Sequence, residues 1–178
     1  IPSDQKENTL IIFLADNGTP GKLAQAPYEN NRSKGSLHQG GIHVPLVISG
    51  PLVTRKGERD QSLIHTADIF STIAEAAGIS ESKYFNSQSF YNTLSNSSPS
   101  ARVYNYSEIL DNDKPNKSGF TIRNERYKLI VLDNNSYRFY DLKNDPFEKN
   151  NLMNGNLSIE LENILDKLMI EASNFRKK

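Results

Sequence analysis

The chain has 178 residues, of which 36% are hydrophobic and 24% charged, and its 21 Lys and Arg balance its 21 Asp and Glu. That size and composition suit one domain, or one domain with a small appendage, around a modest core. The balanced charge offers no basic surplus to nucleic acid or an anionic membrane. No run nears the roughly 18 consecutive apolar residues that cross a bilayer, and the lack of cysteine excludes disulfides, thiolate zinc sites and cysteine nucleophiles from this chain.

Residues 1–8 are a polar lead-in without the basic-then-apolar pattern of a signal peptide. The run Leu10-Ile11-Ile12-Phe13-Leu14-Ala15 predicts a strand over 9–15 of the kind buried on both faces, flanked by parallel strands contributed upstream and exposing edges and apolar faces without them. A buried strand so near the first residue is what a fragment of something longer would show. Residues 17–41 mix glycine, proline and polar side chains into a long loop, a feature that in compact domains is usually functional or disordered. Ile42–Ser49 predicts a second short buried strand, with Pro45 at its start.

Residues 66–77 predict a helix with Thr66 as N-cap, Asp68 in the first turn and Gly78 at C′. Its inward stripe is expected to be Ile69, Phe70, Ile73, Ala74 and Ala77. Residues 80–101 are Ser- and Asn-rich and read as a linker or surface excursion. Val103–Ile109, Gly119–Arg123, Tyr127–Leu132 and Tyr137–Leu142 predict an antiparallel meander. Ser158 then caps a helix with the stripe Leu161, Ile164, Leu165, Leu168, Met169, Ala172 and Phe175, expected across one face of that meander. The expected organisation is an α/β part over 1–79, a linker over 80–101 and a small α+β appendage over 102–178.

Chemistry-bearing residues gather in the first part. Asp16 and Asn17 end the first strand with a carboxylate and an amide oxygen, hard donors suited to calcium or magnesium. A turn after a strand would use the same residues. Lys34, in a Gly/Ser-flanked loop, could hold an oxyanion as a point charge or be solvated surface. The Gly40-Gly41 pair suggests positive φ or close backbone approach. His38 and His43 flank it, and His43 could donate to an anion or leaving group near neutral pH. His65, before the helix, reads as a cap or core-edge residue.

The order and spacing of these segments resemble the sulfatase family of the alkaline-phosphatase-like superfamily. The resemblance rests on residues 9–18, from Thr9 to Asp16-Asn17-Gly18, and on Lys34-Gly35-Ser36 through Gly40-Gly41 to Val44-Pro45. It continues over 65–78, 121–130 and 140–152. It implies the carboxy-terminal part of an alkaline-phosphatase-like α/β fold, plus a small antiparallel-sheet α+β subdomain with a C-terminal helix. It also implies Asp16 and Asn17 as ligands of Ca2+, with Mg2+ as the alternative, and Lys34 as the catalytic contact to the sulfate ester. His38 and His43 are the accompanying substrate-binding candidates.

Two departures stand out. Gln39 occupies the place of the family's glutamate, and His43 that of its arginine. The Cys/Ser-x-Pro-x-Arg motif that yields the formylglycine nucleophile is absent, as is the family's amino-terminal Asp-Asp pair. Both are expected upstream. The isolated chain is therefore expected not to hydrolyse sulfate esters, and to aggregate or associate with its missing N-terminal half. The resemblance further implies a sulfated small molecule or glycan as substrate and a periplasmic or extracellular location. Two alternatives remain at this level: a phosphoester or phosphonate hydrolase of the same superfamily, and a non-catalytic module binding a partner or a glycan.

Overall fold

A computed structural model of the chain describes residues 1–79, 85–111 and 117–177. These form two compact units, each built from separated segments: residues 1–14 with 45–103, and residues 15–44 with 104–178. The long loop of residues 15–44 thus belongs with the carboxy-terminal strands. Among the described residues, no helix is long and apolar enough to cross a membrane.

The first unit holds a two-stranded sheet and one helix. Strand β1 (Ile11–Leu14) pairs antiparallel with β2 (Leu46–Ser49), setting Ile11 opposite Ser49 and Phe13 opposite Val47. Within this chain the neighbour of β1 is the antiparallel β2, and because side chains alternate across a strand one face is left open, with Phe13 and Val47 60% and 58% exposed. An apolar run fixes neither the direction of the partner strand nor the covering of both faces. Ile42 and His43 also fall outside β2.

Helix α2 (Asp68–Ala76) ends as expected, with Gly78 at φ +77°. The amides of Gly78 and Ile79 return to the Glu75 and Ala74 carbonyls, the Schellman pattern that glycine permits. Its start differs from expectation: Ala67, not Thr66, is the N-cap residue. The buried face differs too. Asp68, Ser71, Thr72 and Ala74 are buried, while Phe70 and Ile73 are exposed. The polar face is chosen because Asp68 meets Arg102 in a buried ion pair and accepts the backbone amides of His65 and Gln88 at 2.7 and 2.9 Å. Over its described residues 85–101, the expected linker packs into this unit, with Phe90 and Leu94 buried.

The second unit is built on the meander β3 (Asn105–Ile109), β4 (Gly119–Arg123), β5 (Tyr127–Leu132) and β6 (Tyr137–Asp141), antiparallel in that order. Helix α3 (Ile159–Arg176) begins at Ser158, whose hydroxyl accepts the Leu161 amide. The whole expected stripe packs against the face carrying Phe120, Ile122, Tyr127, Leu129, Val131 and Phe139. The opposite face is covered as well: Ile130, Tyr140 and Leu142 cluster with Leu37 of the 15–44 loop. Two covered faces explain why β4 and β5 are buried almost throughout.

Candidate functional site

The loop that covers this second face carries every candidate site residue. It contains 3₁₀ turns at Gly21–Leu23 and Asn30–Arg32 and a single helical turn, α1 (Gln39–Ile42). Asp16 lies exposed just after β1, and Asn17 is half-buried beside it, its Nδ2 donating to Asp16 Oδ2 at 2.5 Å. Two backbone bonds tie this turn to the rest of the loop. The Gly18 amide donates to the Gly41 carbonyl at 2.9 Å, and the Lys34 amide donates to the Thr19 carbonyl at 3.0 Å.

Small residues make that assembly possible. A Cβ on Gly18 would lie 1.9 Å from the Gly40 carbonyl oxygen, and one on Gly41 would lie 2.2 Å from the Ser36 oxygen. Close approach, not positive φ, is the reason for the glycine pair, since neither Gly40 nor Gly41 has a positive φ. The structure thus joins Asp16-Asn17-Gly18, the Lys34 backbone and the Gly40-Gly41 turn. The Lys34 side chain itself is exposed.

The two histidines bracket α1 and belong to different surroundings. His38 precedes the turn, is 3% exposed, and its carbonyl accepts the Gly41 and Ile42 amides. Burial, followed by the charges of Lys128, Arg32 and Arg138, pushes its pKa down to about 3, so its ring is neutral at physiological pH. His43 follows the turn, its amide donating to the Gln39 carbonyl at 2.8 Å. Desolvation, then Arg123 and Lys128, lowers its pKa as well, against an opposing pull from Glu148. Among the described residues, neither histidine ring hydrogen-bonds to Asp16, Asn17 or Lys34.

Beneath α1 lies a buried ion pair outside the sequence-predicted set. Lys128 Nζ is 2.7 Å from Glu148 Oε1, with both side chains removed from water. Glu148 Oε2 accepts the Gln39 amide at 2.6 Å, and its carbonyl accepts Arg32 Nη1 at 2.5 Å. Gln39, also buried, presents Oε1 to Lys128 Nζ at 3.4 Å. A single carboxylate therefore neutralises Lys128 and satisfies the first amide of the turn. Glu148 adopts φ +58° to reach this position, a conformation that costs energy in a non-glycine residue and is held only by such contacts. Burial still lowers Lys128, to about 8. The sequence signals were a lysine alternating with Ile130 and Leu132 in an apolar strand and a glutamate after Asp145-Pro146.

The donor chemistry can be tested against a metal. Asp16 and Asn17 offer hard oxygens of the kind calcium prefers, but calcium takes about six to eight. No group of three or more His, Cys, Asp or Glu able to hold a metal ion occurs among the described residues. The pair therefore fits as part of a coordination shell.

A profile for N-sulphoglucosamine sulphohydrolase, C-terminal, matches residues 32–175. An ulvan-active sulfatase of Formosa agariphila is 27% identical, over 96% of this chain and 38% of its own length. Arylsulfatase K of Xenopus laevis is 27% identical, over 81% of this chain and 28% of its own length. A protein solved in complex with its substrate D-glucosamine-2-N,6-O-disulfate superposes with a TM-score of 0.76 at 21% identity, over 96% of this chain and 34% of that one. The likeness in structure concerns the fold, and the chain spans well under half the length of these relatives.

Proposed function

The chain belongs to the family of N-sulphoglucosamine sulphohydrolase C-terminal domains, and on that premise we propose that the protein carrying it is a sulfuric ester hydrolase acting on a sulfated saccharide. An ulvan-active sulfatase relative and a structural relative solved with a disulfated glucosamine support this class of substrate. The observation that carries the reading is the pair of backbone bonds, Gly18 to Gly41 and Lys34 to Thr19, which fasten Asp16, Asn17 and the Lys34 segment into one loop assembly.

In this reading Asp16 and Asn17 supply two oxygen ligands to Ca2+. When bound, that ion offsets the charge of the sulfuryl oxygens. Lys34, exposed and on a flexible stem, places an ammonium against a sulfate oxygen and stabilises the charge that grows there as the ester bond breaks. His43, neutral at physiological pH, contributes a hydrogen bond in place of a fixed cation. The chain contains neither a cysteine nor a Ser-x-Pro-x-Arg segment, so the nucleophile is assigned to residues outside it, and the 178 residues alone are expected to release no sulfate.

Calcium calorimetry and turnover on the whole protein test this. Asp16→Ala should weaken calcium binding on the order of a hundredfold, because ligand charge sets affinity over decades. Unchanged affinity would remove Asp16 from the metal. Lys34→Ala should keep calcium yet lose about 100- to 1000-fold in kcat, the scale of deleting one preorganised transition-state donor. Full turnover in that variant would refute the role given to Lys34.

A further inference from the structure

Beside Leu37 and His38, the second unit opens into a cavity of about 470 Å3. Arg32, Lys117, Arg138 and Lys149 line it, with no aspartate or glutamate among the described residues. Arg32 is already engaged with the Glu148 carbonyl and Glu29. Among the described residues, Lys117, Arg138 and Lys149 form no ion pair. Unopposed cations around a concave surface focus a field that favours an anion.

His38 adds a directional argument. Arg138 Nη1 lies 3.3 Å from His38 Nε2. A guanidinium only donates, so Nε2 accepts and the proton of the neutral ring sits on Nδ1. That Nδ1 is buried and has no hydrogen-bond partner among the described residues. A buried donor left unpaired is costly, and an acceptor would relieve it. A volume of this size matches small-molecule sites and exceeds what one sulfate fills. Tyr140 and Ile130 lie beneath its floor, all but closed off from solvent.

We propose that this cavity is a recognition subsite for a sulfate group borne on a saccharide, separate from the ester being cleaved. Arg138 and Lys149 hold its oxygens, and His38 Nδ1–H donates to one of them. The saccharide rests on the sulfatase reading above; the preference for an oxyanion rests on the cavity alone. Arginine's planar fork suits such an oxyanion.

The test is equilibrium titration of the protein in an Asp16→Ala/Lys34→Ala background, which removes the proposed cleavage site. Glucosamine 6-sulfate, inorganic sulfate and N-acetylglucosamine are compared at constant ionic strength. Glucosamine 6-sulfate should bind saturably and more tightly than either control. Arg138→Gln and Lys149→Gln should each weaken it about tenfold, the scale of a hydrogen bond to a charged group. Arg126→Gln, a change of equal charge outside the cavity, should leave it unaltered. No saturable binding, equal affinity for inorganic sulfate or N-acetylglucosamine, or an equal loss with Arg126→Gln would each overturn the proposal. The sulfatase reading fails or survives on turnover of the otherwise native protein, so the two failures are distinguishable.

Discussion

Glu148 joins three things that the sequence keeps far apart: the Lys128 ammonium, the Gln39 amide and, through its carbonyl, Arg32. A buried pair of this kind adds little stability over an apolar substitute, but breaking it strands a charge. Glu148→Ala should therefore cost about 3–5 kcal/mol in chemical denaturation, whereas replacing both partners, Lys128→Met with Glu148→Leu, should recover most of that loss. Equal destabilisation by the single and the double change would contradict the account. His38 gives a pH signature. Its folded pKa lies below its unfolded one, so the unfolded chain binds the extra proton between about 6.5 and 3. Stability should fall as pH drops through that window, driven by burial among Lys128, Arg32, Arg138 and Tyr140. His38→Gln should flatten that limb of the stability curve, and an unaltered limb would contradict the assignment. Asp16, Asn17 and Lys34 stand out in the sequence as residue types. The ion-pair partners of Lys128 and Asp68 do not, because each is supplied by a segment at least 20 residues away.

Elements built on local signals were legible, although the strands Asn105–Ile109 and Tyr137–Asp141 are shorter by one or two residues than the expected Val103–Ile109 and Tyr137–Leu142. The strands of the meander, the stripe of α3, the Ser158 cap and the terminating Gly78 all follow from periodicity and capping residues that act within a few positions. The departures come from tertiary choices. Helix α2 turns Asp68, Ser71 and Thr72 inward because Arg102 waits there. The short turn α1 is equally invisible, since two glycines oppose a helix and only the contacts around it hold them in one. Those contacts make a prediction at this scale. Gly18→Ala puts a methyl group into the Gly40 carbonyl and must part the Asp16-Asn17 turn from the glycine pair. Calcium affinity of the whole protein should fall about tenfold or more, the scale on which misplacing metal ligands acts, while the circular-dichroism signal of the α3–meander unit stays unchanged. Undiminished calcium affinity would show that the close packing does not position the ligands.

At the scale of the molecule, the chain crosses between its two units near residues 14, 44 and 103. The loop of residues 15–44 leaves β1, lies on the sheet of the second unit and returns to β2. The chain belongs to the family of N-sulphoglucosamine sulphohydrolase C-terminal domains over residues 32–175, and its fold is shared with larger solved proteins. The activity proposed above is that of the whole protein, and this chain spans between a quarter and two-fifths of the length of its relatives. The most direct measurement is the ratio of kcat/KM for an aryl sulfate to that for the matching aryl phosphate, taken with the whole protein and calcium, alongside a sulfated sugar. The account predicts a ratio well above one and sulfate release from the sugar. A ratio below one with no sulfate released would contradict it and assign the site to phosphoryl transfer.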